Sequence, residues 1–422
     1  MNKIDTAEKM IIDKEEAKRL NNDVDKALTP RPMAEILNNR PQTREELYNK
    51  IQKWLYLQDT YRIDIILAVY ITIKQKGNPL WVFFVGGSGD GKSELLRSLN
   101  GLQDIRPIDQ LTANTFASGK PDASDLGSEL QGKNTLLLFS DLACLTSLNK
   151  DEKKKIWSQF RTLYDGEIFK DTGSGVKKKY DDCNVSILAC TTSAIKGEYH
   201  IHQQLGTREL LYDTEPDPRD NKKKMTQAMK NMGKKAEMRK EIREAVQGFL
   251  LDKKYDGTIE LPKDVIDFIF TKCEKLRLLR ASGTSTDWRT GELDTDIEAE
   301  VTTRLVQQFL KLYIALKSLD KDYPNERYRE IIERFVKSSS NPVRYKLYEY
   351  LKKNQDDWFT VYDLHLQLKN SKISISSQCE ALWNLGSLDK KYEEKMIGYE
   401  GSNRWKDVAH YKANISKQVK FP

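Results

Sequence analysis

Three short apolar runs without polar alternation divide the first half of the chain. They are LWVFFV (80–85), NTLLLFSD (134–141) and NVSILACTT (184–192). A strand that is buried on both faces has this pattern, because its side chains meet packed helices above and below the sheet. Segments with helical spacing lie between the runs, at 91–99 and 150–164. Strands that alternate with helices predict a parallel α/β sheet.

The segments around these runs are predicted to be helical. Residues 1–45 are charged and form an expected N-terminal helical extension, after which Thr43 and Glu46 have the spacing of a capping box. The apolar stretch 63–73 contains Asp64 and is too short to span a bilayer, so we interpret it as a buried helix. From about residue 219 to 340 the pattern is mostly helical.

The C-terminal part, residues 341–422, is predicted to be a separate small domain. Its helical segments VRYKLYEYLKK, TVYDLHLQL and SISSQCEALWNLGSL precede a tail with aromatic and basic residues. Three short amphipathic helices and a hairpin predict a winged helix. The third helix opens with Ser374, Ser376, Ser377 and Gln378, which could face a DNA groove. Winged helices also serve as protein-interaction modules, so the pattern leaves both uses open.

Composition narrows the classes of partner. A net charge of +7 permits an anionic partner such as nucleic acid without requiring one. The five cysteines are scattered with no C-x-x-C pair, and there are four histidines, so a zinc module or disulfide framework is not expected. The first ten residues have no apolar segment of the secretory kind. We therefore expect a cytoplasmic protein, nucleoid-associated if the source is prokaryotic, with no membrane partner.

The strongest local motif directly follows the first apolar run. Gly86-x-x-x-x-Gly91-Lys92-Ser93 is a complete P-loop, placed between a predicted strand and a predicted helix. Its glycines let backbone N–H groups surround phosphates, while Lys92 reaches the β and γ phosphates and the Ser93 hydroxyl coordinates Mg²⁺. The motif predicts ATP and Mg²⁺ as ligands. The predicted nucleotide-binding residues are Gly86, Gly87, Ser88, Gly89, Asp90, Gly91, Lys92, Ser93 and Glu94.

A P-loop also needs an acidic residue at the end of a neighbouring strand. The run LLLFSD supplies Asp141, which is a candidate ligand of the Mg²⁺ together with Ser93. Hydrolases of this type usually continue with a glutamate that polarises the attacking water, but Leu142 follows here. Two alternatives stay open. Either Asp141 is the metal ligand and the base lies elsewhere, or Ser140 has replaced the metal ligand and Asp141 is the base.

Four further features are candidates for phosphate or DNA chemistry. A hairpin around 173–175 carries Lys170, Lys177, Lys178 and Lys179, which are predicted to touch a DNA backbone unless the hairpin is merely solvated.

Thr191 and Thr192 end the third apolar run and could hydrogen-bond a γ-phosphate or its water. Arg208 could stabilise a transferring phosphoryl group or form a surface ion pair. The segment 219–240 carries nine Lys or Arg against two acids, which suits either DNA or a solvated helix.

The order of these parts resembles an AAA+ ATPase. More narrowly, it is similar to the minichromosome maintenance (MCM) helicases and the MCM-like replicative helicases of mobile genetic elements. The resemblance covers residues 45–412, with a AAA+ domain and helical lid at 46–340. The segments that carry it are the P-loop GGSGDGKS, the helix-2-like excursion LTANTFASGKPDASDLGSELQGK, the pre-sensor-hairpin-like FRTLYDGEIFKDTGSG, the sensor-1-like LACTTS, the arginine-finger-like LGTRELLYDTEPDPRD and the sensor-2-like VTTRLVQQFLKLYIAL.

The resemblance implies a role for each matched residue. Thr191 or Thr192 would be sensor 1, where the family usually has Asn. Arg208 would be an arginine finger that acts in trans, and Arg304 the sensor-2 arginine. Lys170 or Lys177 would be the hairpin lysine that contacts DNA inside the pore. Together with Lys92 and Asp141, these are the expected catalytic and DNA-contacting residues.

The resulting expectation is an ATP-driven DNA helicase that acts as a homo-oligomeric ring, expected to be a hexamer, in the replication of a mobile element, plasmid or virus. It would bind single-stranded or forked DNA without sequence preference. Two alternatives remain. One is an ATPase that loads or remodels another replication or transposition enzyme. The other is an ATP-switched DNA-binding initiator, which Leu142 in place of glutamate favours.

Overall fold

The computed structural model describes residues 40–120, 125–171, 173, 175–198, 207–214, 217–281, 299, 301–397 and 404–414. The predicted N-terminal extension lies outside the described residues as far as residue 39. The first helix begins at Arg44, where the Thr43 hydroxyl accepts a hydrogen bond from the Glu46 backbone N–H at 3.2 Å. The Thr43 cap that the sequence predicts is therefore confirmed.

The first seven strands form one sheet and one separate hairpin. Their bounds are β1 (Trp81–Val85), β2 (Ile105–Ile108), β3 (Asn134–Phe139), β4 (Ile168–Asp171), β5 (Lys177–Tyr180), β6 (Asn184–Thr191) and β7 (Leu210–Asp213). The sheet has the order β2-β3-β6-β1-β7, and every neighbouring pair in it is parallel. The predicted parallel α/β sheet is thus confirmed, and β4 pairs with β5 as an antiparallel hairpin.

Helices cover both faces of this sheet and continue beyond it. Their bounds are α1 (Arg44–Gln52), α2 (Tyr61–Ile71), α3 (Lys92–Arg97), α4 (Leu126–Leu130), α5 (Lys150–Tyr164), α6 (Asn221–Lys230), α7 (Lys235–Leu250), α8 (Lys263–Leu279), α9 (Thr303–Leu319), α10 (Asn325–Ser339), α11 (Pro342–Lys353), α12 (Val361–Leu368) and α13 (Lys372–Asn384). The predominantly helical pattern between 219 and 340 corresponds to α6–α10.

The alternation of side chains along each strand produces two separate cores. Phe84 and Leu138 face the side of α2 and α3, in a cluster that also contains side chains of α7–α10. Phe83 and Phe139 face the opposite side, where they pack with Phe160 of α5. Because both faces are covered, the strands contain consecutive apolar residues rather than an alternating pattern.

The apolar helix α2 lies within the first of these cores, which confirms its interpretation as buried. Asp64 interrupts its apolar surface and is 1% exposed. The carboxylate accepts hydrogen bonds from the Tyr323 hydroxyl at 2.8 Å, from Arg327 Nε at 2.7 Å, and from the hydroxyl of Tyr48. Asp64 therefore joins α1 and α10 to α2. None of the described helices is long and apolar enough to cross a membrane.

The C-terminal part is built from α11–α13 and three antiparallel strands. The strands are β8 (Phe359–Thr360), β9 (Leu388–Ile397) and β10 (Arg404–Ala413), in the order β8-β10-β9. Arg344 of α11 is fully buried and donates to the carbonyls of Leu278 and Ala281 at 3.1 and 3.0 Å. These bonds connect this part to the end of α8.

The central position of β6 makes a direct test of the packing possible. Leu188 is 0% exposed, so Leu188→Ala is expected to lower the free energy of unfolding by about 2–5 kcal/mol through lost burial and the cavity left behind. Lys154→Ala on the exposed face of α5 should change it by about 0.5 kcal/mol or less. Urea denaturation followed by circular dichroism measures both, and equal effects would contradict the two-layer core.

Candidate functional site

The loop between β1 and α3 has a backbone that requires glycine at three positions. Gly89 and Gly91 have φ angles of +80° and +75°, in the left-handed region that other residues rarely adopt. Gly86 has a different constraint, because a Cβ atom there would lie 2.0 Å from Thr214 Oγ1. Gly87 has open space around it. The loop thus passes closely over the end of β7 and then turns sharply into α3.

Lys92 forms a hydrogen bond within this loop, and Ser93 joins the loop to the end of β3. The Lys92 ammonium donates to the Gly87 carbonyl at 2.5 Å, and the residue is 8% exposed. Burial lowers the pKa of Lys92, and the charges of Asp90 and Asp141 partly oppose this shift. Ser93 Oγ donates to the Ser140 carbonyl at 2.7 Å. The side chains expected at phosphate and Mg²⁺ are therefore next to each other and next to the end of β3.

Ser140 and Asp141 directly follow Phe139, the last residue of β3. Ser140 is half-buried, and its carbonyl accepts the hydrogen bond of the Ser93 hydroxyl. Asp141 is exposed, and its Oδ1 accepts a hydrogen bond from the Ala143 N–H at 2.8 Å. Its charge nevertheless lies close enough to affect Lys92. Of the two residues, Ser140 is the nearer to Ser93.

The two threonines end the strand that separates β1 from β3. The Gly86 N–H donates to the Thr191 carbonyl at 3.1 Å, which joins β6 to the start of the loop. Thr191 is 2% exposed, and its hydroxyl has no hydrogen-bond partner within the described part of the chain. Thr192 is half-buried, and its carbonyl accepts from the Ile195 N–H. Thr191 is therefore a buried polar side chain at the edge of the sheet where the P-loop lies.

The acidic residues of the motif face the protein rather than an open pocket. Asp90 is held by Arg62 of α2 and Lys224 of α6. Glu94 is held by Arg239 of α7 and by its own helix neighbour Arg97. Ser88 is exposed at the tip of the loop. The motif predicts that Asp90 and Glu94 are among the nucleotide-binding residues, and the structure shows that the side chains of both have cationic partners within the protein.

Arg208 and Arg304 lie together at the other end of the sheet. Arg208 precedes β7, so it stands at the amino ends of the strands, whereas the P-loop follows the carboxyl end of β1. Both guanidinium groups lie near the Tyr164 ring, at 5.7 and 5.6 Å from its centroid. Arg208 approaches Asp165 at 3.4 Å, and burial lowers its pKa. Arg280 lies near these two arginines and was not predicted from the sequence; it donates a hydrogen bond to the Thr207 carbonyl at 2.6 Å.

The four hairpin lysines fall into two pairs. Lys170 donates to the Asn114 side chain at 2.5 Å and to the Ala117 carbonyl at 2.7 Å. Lys178 forms an ion pair with Asp125 at 2.8 Å, and the lysine side chain is 9% exposed. Both bind the segment before β3.

The other pair faces solvent. Lys177 is exposed. Lys179 is 59% exposed and lies 3.1 Å from Asp181. These two are the hairpin lysines available to an external anion.

Several partners of the motif were not predicted because nothing in their local sequence distinguishes them. Arg62 lies in an apolar helix, and Lys224 and Arg239 lie in a segment whose many basic residues look alike. Among the described residues, no three His, Cys, Asp or Glu side chains form a metal-binding group. No protein-family model matches the chain, and no curated protein shows significant similarity to it. The fold and the motif therefore define an α/β protein with a P-loop, and nothing narrower.

The contact between Gly86 and Thr214 can be tested with a matched pair of glycines. Gly86→Ala is expected to lower the thermal midpoint of unfolding, because its Cβ would overlap Thr214 Oγ1, whereas Gly87→Ala has open space and should not. Adding Thr214→Ala to Gly86→Ala should recover part of the loss. Differential scanning fluorimetry measures all three, and an unchanged midpoint for Gly86→Ala would contradict the close approach.

Proposed function

We propose that the chain is an AAA+ ATPase that assembles with copies of itself and moves along DNA, as the resemblance to MCM-like helicases implies. The observation that carries the proposal is the separation of its P-loop from its paired arginines. In this interpretation the helices α7–α10 are the helical lid, and α11–α13 with β8–β10 are a winged helix. The basic surfaces would contact the DNA backbone rather than base edges.

The separation of the two groups results from the direction of the strands. The five residues of β1 span about 16 Å at the usual rise per strand residue. A guanidinium at the amino ends of the strands is therefore out of reach of a phosphate held at their carboxyl ends. A neighbouring protomer that brings its Arg208 edge against this P-loop would complete the site, as arginine fingers do in trans. Because Arg304 lies beside Arg208, the same neighbouring protomer would bring both arginines to this P-loop.

The residues at the P-loop fit magnesium and a triphosphate. Mg²⁺ bound with a nucleotide needs one or two protein oxygens, and the Ser93 hydroxyl with Ser140 or Asp141 supplies oxygens of this kind. When bound, Mg²⁺ would neutralise charge on the β and γ phosphates. Lys92 is already beside the loop and would contact the same phosphates. The buried Thr191 hydroxyl would find its partner in the γ-phosphate or its water.

Asp141 is the better candidate for the base. Ser140 contacts Ser93 through its carbonyl, where the metal ligand is required, whereas the Asp141 side chain is exposed. Asp141 would accept the proton of a water that adds to the γ-phosphorus while the bond to the β–γ bridging oxygen breaks. ADP and phosphate are the products. The developing charge would be stabilised by Lys92 and by Arg208 of the adjacent protomer.

One observation favours a second candidate, an ATP-switched DNA-binding initiator. Leu142 occupies the place where a glutamate would be expected, and it is 0% exposed within the core. A chain without an effective base would bind ATP and turn it over very slowly. Sequence-specific footprinting with negligible turnover would support this candidate over the translocase.

A mixing experiment tests the shared site. Lys92→Ala and Arg208→Ala should each lose more than about 95% of the DNA-stimulated ATPase activity, since one removes a phosphate contact and the other a transition-state charge. A mixture of the two should recover part of the activity, because some interfaces then combine an intact P-loop with an intact arginine. Phosphate release with and without single-stranded DNA measures the rates.

The control for this experiment is Arg106→Ala, which removes a half-exposed arginine at the sheet edge. It should retain wild-type activity. If both variants assemble normally and their mixture shows no recovery, the arginine does not act on a neighbour. If the wild type hydrolyses no ATP, the ATPase proposal itself fails.

The two classes of hairpin lysine predict different phenotypes. The double variant Lys177→Ala, Lys179→Ala should keep basal ATPase activity and lose most DNA stimulation, because both lysines are exposed. Lys178→Ala should instead lower the thermal midpoint, because it removes the partner of Asp125. ATPase assays over a DNA titration, at low and high salt, measure the first effect. Undiminished stimulation in the double variant would remove the hairpin from the DNA interface.

A further inference from the structure

Two carboxylates stand immediately before and after the Gly91-Lys92-Ser93 segment. The side chain of Asp90 is 4% exposed and lies between two cations. Arg62 Nη1 is 3.1 Å from its Oδ2, and Lys224 Nζ is 3.2 Å from its Oδ1. Arg62 is 1% exposed and also donates to the Asp90 carbonyl at 3.2 Å. Asp90 thus connects the phosphate loop to the buried helix α2 through Arg62 and to the exposed helix α6 through Lys224.

Glu94 forms the corresponding link to α7. Arg239 donates to its two oxygens through two nitrogens, at 2.7 and 2.6 Å, in the bidentate geometry that gives strong ion pairs. Arg97 adds a third contact at 3.0 Å. Burial favours the protonated acid, yet the hydrogen bonds and charge of Arg239 hold the pKa of Glu94 below its usual range. Glu94 is therefore a charged partner of Arg239.

The helix that receives the first link is attached almost entirely by polar contacts. None of the residues of α6 is buried. Besides Lys224, three side chains join it to the body. Gln227 Nε2 donates to the Lys53 carbonyl at 2.7 Å, Asn231 Nδ2 at the C-cap donates to the Trp54 carbonyl at 2.6 Å, and Lys223 Nζ donates to the Tyr56 hydroxyl at 3.4 Å. A helix without buried apolar side chains opens at low free-energy cost. Its position therefore depends on a few polar contacts, and the Lys224–Asp90 ion pair is the one that reaches the phosphate loop.

The helix that receives the second link is packed more firmly. Met238, Ile242 and Val246 of α7 are buried in the main core. Together α6 and α7 form a helical segment of residues 221–250, in which α6 has no buried residue and α7 is packed in the core. Each of the two helices is connected to the phosphate loop by a cation that pairs with an acid of the motif.

A direct role for Asp90 and Glu94 at the nucleotide is the weaker interpretation. Carboxylates repel a polyphosphate, and both already have cationic partners at hydrogen-bond distance. We propose that Asp90 and Glu94 are positioning residues that couple the phosphate loop to helices α6 and α7, so that a nucleoside triphosphate or diphosphate in the loop restricts the motion of these helices. The proposal rests on the proposed function only in requiring that the loop binds nucleotide.

Coupling of this kind must be reciprocal. If bound nucleotide strengthens the attachment of α6 by some factor, then attachment of α6 strengthens nucleotide binding by the same factor. A variant in which α6 detaches should therefore bind nucleotide more weakly. Lys224→Ala is the appropriate variant, because Asp90 keeps Arg62 as a partner and the buried carboxylate is not left unpaired. Lys230→Ala is its matched control, since Lys230 is an exposed lysine of the same helix.

Hydrogen–deuterium exchange of the full chain, with and without ADP or a slowly hydrolysed ATP analogue, tests the coupling. In the wild type and in Lys230→Ala, nucleotide should slow exchange both in the loop and in residues 221–230. In Lys224→Ala the loop should still be protected, while the protection of α6 is lost. Fluorescence titration with a labelled ADP should show affinity reduced at least about fivefold in Lys224→Ala and unchanged in Lys230→Ala.

A charge exchange separates coupling from simple structural support. Glu94→Arg and Arg239→Glu should each reduce affinity, and the double variant should restore it, because the ion pair is re-formed with the charges reversed. Wild-type protein that protects the loop but not α6, or a double variant no better than the single ones, would overturn the coupling alone. Wild-type protein that binds no nucleotide would overturn the coupling and the proposed function together.

Discussion

The common direction of the five central strands is the constraint on which the rest of the structure depends. Each strand delivers the residues after it to one edge of the sheet and the residues before it to the other. The P-loop, Ser140 and Thr191 lie at the carboxyl ends of their strands, while Arg208 precedes its own. Phosphate-directed groups and arginines are consequently gathered at opposite edges. Within one chain they cannot meet, and for this reason the proposed function places the arginine of one copy at the P-loop of another.

The apolar runs and the P-loop could be predicted because they depend on local sequence. A strand covered on both faces needs consecutive apolar residues, which identified β1, β3 and β6. By contrast β2 escaped prediction, because its four residues IRPI include an exposed Arg106 and a proline, and its position at the sheet edge tolerates both. The motif predicts glycine at 86 and 91, but it gives neither the positive φ angle at Gly89 nor the contact with Thr214, far along the chain, that excludes a Cβ atom at Gly86.

The partners of the charged residues could not be predicted, because they are set by packing between distant segments. Asp90 pairs with residues 28 and 134 positions away, and Glu94 with one 145 positions away. The basic segment 219–240 suggested either DNA or solvent, yet two of its cations, Lys224 and Arg239, face the P-loop acids. The sequence shows that the segment is basic, but only the fold determines which of its basic side chains already form ion pairs with acidic residues of the protein.

Helix α2 shows what buried charges can contribute to a fold although their removal from water is unfavourable. Its two charged residues, Arg62 and Asp64, are each 1% exposed in a predominantly apolar helix. Arg62 fixes Asp90 of the phosphate loop, and Asp64 binds Tyr323 and Arg327 near the start of α10. Apolar residues of similar size would often stabilise such a site as well. Apolar contacts, however, would not select particular partners by hydrogen bonds. Because α2 binds the phosphate loop through Arg62 and α10 through Asp64, it holds both in a defined position relative to the sheet.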